Sequence, residues 1–211
     1  MNIALINGSP KVKDSVSGNI LSTLKKLLNE SHNIYEYKFN TPQVDHKDIE
    51  EIAKCSSIVL AFPLYVDGIP SHLLSCLVQM ESYFRINTNP NISVYALVNC
   101  GFYEGQQAIW ALEMVENWCI KSYIRWGQGI GIGGGGMLSN LSVSSSGQGI
   151  TKNLWEGLNK ISNNISNSIS ADNIFVSPNF PRFLYKTGGA IGWNKKIKSN
   201  GLNKRDLNIR L

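Results

Sequence analysis

No apolar run in the 211 residues approaches the roughly eighteen that a membrane-crossing helix needs, so no membrane span is expected. The opening Met1-Asn2-Ile3-Ala4-Leu5-Ile6 lacks the basic stretch and the cleavage site of a secretory signal, and a cytoplasmic protein is expected. Cysteine is scarce and scattered. Cys55, Cys76, Cys100 and Cys119 form no C-x-x-C pair, which suits neither a zinc site nor a disulfide framework. Histidine is scarcer still: His32, His46 and His72 show no metal-ligand spacing, and no metal is expected. Charged residues are 17% of the chain and hydrophobic ones 43%, the balance of a soluble domain with a sizeable core.

What charge there is lies unevenly. Residues 182–211 hold eight Lys or Arg against Asp206 alone, a net +7; the remainder has 12 basic and 14 acidic residues and stands at −2. The tail also contains Phe183, Leu184, Tyr185 and Trp193. No DNA- or RNA-binding motif accompanies it, so no nucleic-acid partner is expected. The tail is read as a basic extension, residues 178–211, that packs on the body or on a partner subunit, with residues 1–177 forming the main domain.

Within that domain, strand and helix patterns alternate. Residues 2–7 are a short apolar run that stops at Gly8-Ser9-Pro10, as a buried strand does. Ile20, Leu21, Leu24, Leu27 and Leu28 then repeat at helical spacing. Residues 33–39 alternate as a second strand, and Asp48 with Glu51 reads as the capping box of a helix through Lys54. Further strands are expected over 57–62, 93–98 and 122–131, and helices from Pro70-Ser71, over 104–120 and over 149–169. Such alternation implies an α/β fold, a doubly wound parallel sheet with helices on both faces. Five strands suit the flavodoxin-like order 2-1-3-4-5, whose ligand crevice lies beyond the strand carboxyl ends at the switch point between strands one and three. The loops that matter should therefore begin near Gly8, Pro63 and Asn99.

The first of these loops, Gly8-Ser9-Pro10-Lys11-Val12-Lys13-Asp14-Ser15-Val16-Ser17-Gly18-Asn19, offers hydroxyls, a cation and the amides that open a helix. A terminal phosphate dianion wants that set of donors. The stretch has neither G-x-x-x-x-G-K-[ST] nor G-x-G-x-x-G, so a nucleoside triphosphate or a pyrophosphate is not the natural guest. A plain Ser-rich turn capped by Ser17 or Asp14 is the alternative reading.

Gly8-Ser9-Pro10-Lys11, Ser15-x-Ser17 and Phe62-Pro63-Leu64-Tyr65 together resemble the NAD(P)H-dependent FMN reductase family of the flavodoxin-like superfamily, over about residues 1–125. The resemblance implies FMN as cofactor, with Ser9, Lys11, Ser15 and Ser17 gripping its phosphate and Asn19 a weaker candidate. Relatives often have Arg where this chain has Lys11; a Lys keeps the charge and gives up the bidentate fork. An iron–sulfur cluster, which some relatives carry ahead of the third strand, is not expected, because residues 40–56 contain only Cys55. In the second loop Pro63, Leu64, Tyr65 and Val66 supply an apolar wall and amides for a flat ring with a polar edge. The resemblance also implies that the third loop, with Asn99, Cys100, Gly101 and Phe102, lines the ring's other edge. Cys100 has no adjacent base, and a catalytic thiol is not expected.

The function so implied is FMN-dependent NAD(P)H oxidoreduction: hydride from NADH or NADPH to the flavin, then electrons to a small-molecule acceptor such as a quinone, a nitro or azo compound, or free flavin. No catalytic side chain is required, since the cofactor carries the chemistry. The resemblance also implies a homodimer. The alternative is a flavodoxin-type electron carrier without NAD(P)H activity, but such carriers are strongly acidic and this chain is +5. Gly129-x-Gly131-x-x-Gly134 matches a dinucleotide fingerprint literally, yet the Ser-, Asn- and Gly-rich stretch after Met137 does not read as the helix that the fingerprint needs. Its glycines are read as a flexible loop beside the crevice, a docking place for nicotinamide or acceptor, with Gly133 to Gly136 alternatively a surface linker.

Overall fold

The computed structural model describes residues 1–28, 32–138 and 148–208. The chain divides into two compact units, Met1–Pro178 and Asn179–Leu211.

The first unit is built on a six-stranded parallel sheet in the order β2-β1-β3-β4-β5-β6. Its strands are β1 (Asn2–Asn7), β2 (Asn33–Lys38), β3 (Ser57–Pro63), β4 (Ser93–Asn99), β5 (Arg125–Ile132) and β6 (Ile174–Val176). The central strands are apolar almost throughout because helices cover both faces. All seven residues of β4 are buried, and in β3 only Pro63 reaches the surface. Alternate side chains divide between two cores, as the two-residue period of a strand requires. Ala4, Ile6, Ile58, Leu60, Val94 and Ala96 face α2 (His46–Ile52), α3 (Ser71–Ile86) and α4 (Ile109–Lys121). Ile3, Leu5, Val59, Ala61, Tyr95 and Leu97 face α1 (Val16–Leu28) and α6 (Lys152–Ser166). A single turn, α5 (Gly135–Leu138), follows β5.

Several expectations need correction. The sheet has six strands rather than five: Ile174–Val176 pairs with Ile130–Ile132, and three residues are too few to show alternation. Helix α2 is capped by Asp45, whose carboxylate accepts from the Lys47 amide at 3.0 Å; Asp48 lies in the first turn and forms no capping box. Strand β5 starts at Arg125, because Ser122 still bonds back to the end of α4. The second unit contains a helix that the sequence pattern hid, α7 (Arg182–Ser199), with Gly188, Gly189 and Gly192 in its interior. Among the described residues no helix is long and apolar enough to cross a membrane.

Candidate functional site

The three loops singled out by the sequence leave the sheet at one edge, from adjacent strands: Asn7 lies opposite Ala61 in the ladder, and Pro63 opposite Asn99. In the first loop the decisive local feature is Asn7. Its side chain turns back, accepting from the Ser9 amide at 3.0 Å through Oδ1 and donating to Ser15 Oγ at 3.2 Å through Nδ2. Ser15, neither Ser17 nor Asp14, is the cap of α1: its Oγ accepts from the Gly18 amide at 3.0 Å. Ser9 Oγ accepts from the Lys11 amide at 3.3 Å. Ser9 and Ser15 are buried, and in each the oxygen is used as an acceptor while the hydroxyl proton is directed to no described protein group. Lys11 is exposed and forms no ion pair among the described residues. Asn19 is exposed in the first turn of α1. A polar crevice of about 250 Å³ opens on the β2 side of this loop, lined by Asn7, Lys13, Ser15, Asn19 and Lys38 among others.

Ser17 behaves differently from the other two serines. It is buried, and its hydroxyl donates at 2.8 Å to Oδ1 of Asn99, at the end of β4. The backbone carbonyl of Asn99 in turn accepts from the Leu64 amide at 2.8 Å, so one residue ties all three loops together. Asn99 is 7% exposed, and its Nδ2 donates to no described partner. A second tie runs through α3: His72 Nε2 lies 3.1 Å from the Gly8 carbonyl, and a Cβ on Gly8 would come within 2.5 Å of Leu73 Cδ2. Neither Asn7 nor His72 was singled out from the sequence. An Asn as the last residue of a strand before a Gly-Ser turn is the signal that Asn7 offered.

The second loop is a tight hairpin. Tyr65 and Gly68 exchange two backbone hydrogen bonds of 3.1 Å, with Val66 at φ +48° and Asp67 at φ +58° between them. A β-branched residue in that region is strained by about 1–3 kcal/mol. Val66 is also fully exposed, Tyr65 is half exposed, and Pro63 and Leu64 are partly covered.

The third loop is pressed onto β5. Cys100 accepts from the Gly135 amide and donates its own to Ile132, both at 2.8 Å, and the Phe102 carbonyl accepts from the Gly134 amide at 2.6 Å. Gly101 and Phe102 remain exposed at the rim. Here the glycines of the literal fingerprint find their cause. A Cβ on Gly131 would lie 2.3 Å from the Gly105 carbonyl oxygen, and one on Gly133 2.0 Å from that of Tyr103. Gly133, Gly134 and Gly135 are buried, so they form no surface linker; the glycines let two backbones touch. The expected Ser-rich loop beyond falls partly on residues 139–147, outside the described residues. The Cys100 thiol is buried, and burial, with the charge of Glu104 adding to it, pushes its pKa up, away from a reactive thiolate. Among the described residues no cluster of His, Cys, Asp and Glu could hold a metal ion.

With this geometry in hand, comparison with known proteins is informative about the fold. No family model matches the chain, and no curated protein matches it by sequence. Among solved structures it is similar to an NAD(P)H:quinone oxidoreductase from Methanothermobacter marburgensis, at 14% identity and TM-score 0.58, covering 78% of this chain and 95% of that one. It is also similar to a short-chain flavodoxin associated with a non-canonical PDU bacterial microcompartment, at 14% identity and TM-score 0.54, covering 81% of this chain and all of that one. The fold is flavodoxin-like. An NADH:FMN oxidoreductase in its apo form shares it too, at 13% identity and TM-score 0.58, covering 81% of this chain and 90% of that one. At such identities the likeness carries the flavodoxin-like architecture, and the chemistry has to be argued from the residues.

Proposed function

We propose that this chain is an FMN-dependent NAD(P)H oxidoreductase, taking hydride from NADH or NADPH and passing electrons to a small-molecule acceptor such as a quinone, a nitro or azo compound, or free flavin. The observation that carries the reading is the convergence, at the switch point of a flavodoxin-like sheet, of donors that the protein does not itself use. They are the hydroxyl protons of the buried Ser9 and Ser15 and the Nδ2 of Asn99, a residue 7% exposed. Buried donors without acceptors are costly unless a ligand supplies one. A phosphate monoester bears several acceptor oxygens, so this donor set fits it.

In this reading Ser9 and Ser15 hold the phosphate, Lys11 supplies countercharge from the loop, and Asn19 borders it from α1. Ser17 acts through Asn99, keeping the loops after β1 and β4 in register. Pro63, Leu64, Tyr65 and Val66 form one wall for the flavin ring, and Cys100, Gly101 and Phe102 the opposite rim, where the exposed Tyr65, Val66 and Phe102 keep water from one side of a flat apolar ring. When bound, FMN supplies the two-electron chemistry; the chain positions it and contributes no general acid or base of its own. Four unpaired buried cysteines suit the reducing cytoplasm. A homodimer is part of the proposal, supported by apolar residues left exposed one turn apart on neighbouring helices: Leu74 and Val78 on α3, Trp110 and Met114 on α4.

The test is reconstitution. The purified chain titrated with FMN should quench flavin fluorescence at one equivalent. The loaded protein should then bleach with NADH or NADPH without an added reductase and turn over with a quinone. Bleaching only when a separate reductase is added would assign the chain to electron carriers of the flavodoxin type, and failure to bind FMN would end the proposal.

A further inference from the structure

The second unit presents a surface that the oxidoreductase reading does not use. Of the 18 residues of α7 only Ile197 is buried; Phe183 is 67% exposed, Ile191 53% and Trp193 60%, and Leu184 and, beyond the helix, Leu202 are also exposed. At 3.6 residues per turn Phe183, Leu184, Ala190, Ile191 and Trp193 fall within one half of the helix circumference, the half that also holds the buried Ile197. Lys186 and Lys198 lie among them, with stems long enough to carry their ammonium groups to the edge of an apolar layer. Lys195 flanks that half, Lys196 lies on the opposite face, and Lys204 and Arg205 follow in the next turn. The segment's +7 contrasts with −2 for the rest of the chain. The positive charge thus falls on a segment that also exposes Phe183, Leu184, Ile191 and Trp193.

We infer that the Asn179–Leu211 unit is a peripheral docking element for an anionic lipid surface. Bulky apolar side chains for shallow insertion, combined with a polybasic patch, are the two signals that reversible attachment to such a surface requires. A bilayer also asks for no shape complementarity, which suits apolar residues spread over half a helix rather than gathered in a narrow stripe. Aliphatic Leu184 and Ile191 argue against a nucleic-acid platform, which stacks bases on aromatic rings. The inference stands apart from the flavin reading, and its test needs no cofactor.

The full chain is sedimented with vesicles of phosphatidylcholine alone or mixed with phosphatidylglycerol, at low and high salt. It should pellet with the mixed vesicles and be released by salt. A variant carrying Lys195→Gln, Lys196→Gln and Lys198→Gln should lose about a hundredfold in partitioning, about fivefold per charge. Phe183→Ser with Trp193→Ser should weaken binding at least tenfold. Both variants should keep the thermal transition of the first unit. Equal affinity for neutral and anionic vesicles, or binding indifferent to the lysine changes, would overturn the inference. So would sedimentation velocity without lipid in which the wild type self-associates and these variants do not, because the face would then be a protein contact.

Discussion

Gly131→Ala separates two readings of the glycines in β5. The added methyl would sit 2.3 Å from the Gly105 carbonyl oxygen, 2.7 Å from Phe175 Cδ1 and 3.1 Å from Ala108 Cβ. Two heavy atoms rest at about 3.5–4.0 Å, so the first contact is short by more than an ångström. Its obstacle is backbone, which cannot rotate away, and the strand is held on both sides by β4 and β6. The cost should lie at the upper end of overpacking, about 3 kcal/mol. At about 2–4 °C per kcal/mol for a unit of this size, the melting temperature should fall by about 6–12 °C. Gly136→Ala is the control, since no atom of the described residues lies within 4 Å of its added carbon. Scanning calorimetry of both variants, with the KM for NADPH of the reconstituted protein, makes the assay. A nucleotide-binding fingerprint would give the opposite pattern, a normal melting temperature and a raised KM. A Gly131→Ala protein that melts within about 2 °C of wild type would refute the packing argument.

The three loop serines should separate by phenotype. Ser9→Ala should weaken FMN binding about tenfold or more in a fluorescence titration with little change in melting temperature, since a hydrogen bond to a charged group contributes about 1.5–3 kcal/mol. Ser15→Ala should do the same and also lose about 1 kcal/mol of stability in urea unfolding, because it caps α1. Ser17→Ala leaves Asn99 Oδ1 buried without its donor, so its main effect should be a loss of about 1–3 kcal/mol of stability. Burial pushes the thiols of Cys55 and Cys76 up to about 11 from 9.0. The folded state therefore holds these protons where the unfolded state has released them, and the urea midpoint should fall as pH rises from about 9 to about 11 and be flat below that range. Met114→Glu with Val78→Glu should convert a dimer to monomer in light scattering while leaving the fold intact.

The architecture was legible because the central strands are long, apolar and closed by Pro or Gly. Residues 2–7, 57–63 and 93–99 could hardly be anything but buried strands once helical repeats were seen between them. What escaped notice was short or non-local. Three residues of β6 cannot show a period, and three glycines inside α7 mask a helical pattern. Asp45 and Asp48 are equally plausible caps by composition; the start of the helix decides between them. The same limit applies at the site. The sequence located the loops and their serines. It could not divide the labour among Ser9, Ser15 and Ser17, because Ser17 finds its partner 82 residues away. Nor could it tell a phosphate-cradling glycine from one that admits a neighbouring backbone.

That division of labour bears on how tightly the first loop could hold the phosphate proposed for it. The amides of Ser9, Lys11 and Gly18 are already bonded to side chains of Asn7, Ser9 and Ser15. They fix the shape of the loop before any ligand arrives, and this lowers the ordering cost of binding. The same bonds take those three amides out of the set available to a phosphate, unless the loop opens. Binding strength must then come from groups still unspent: the two hydroxyl protons, the Lys11 ammonium and the first amides of α1. The loop has therefore exchanged donors for rigidity, and Asn7 is where the exchange is made, since both of its side-chain atoms are engaged in holding the turn. If the amides were the real grip, breaking the Asn7 bonds would tighten phosphate binding; if shape is what matters, it would loosen it. The geometry of Asn7, pinned at both ends and seated at the last residue of β1, argues for shape.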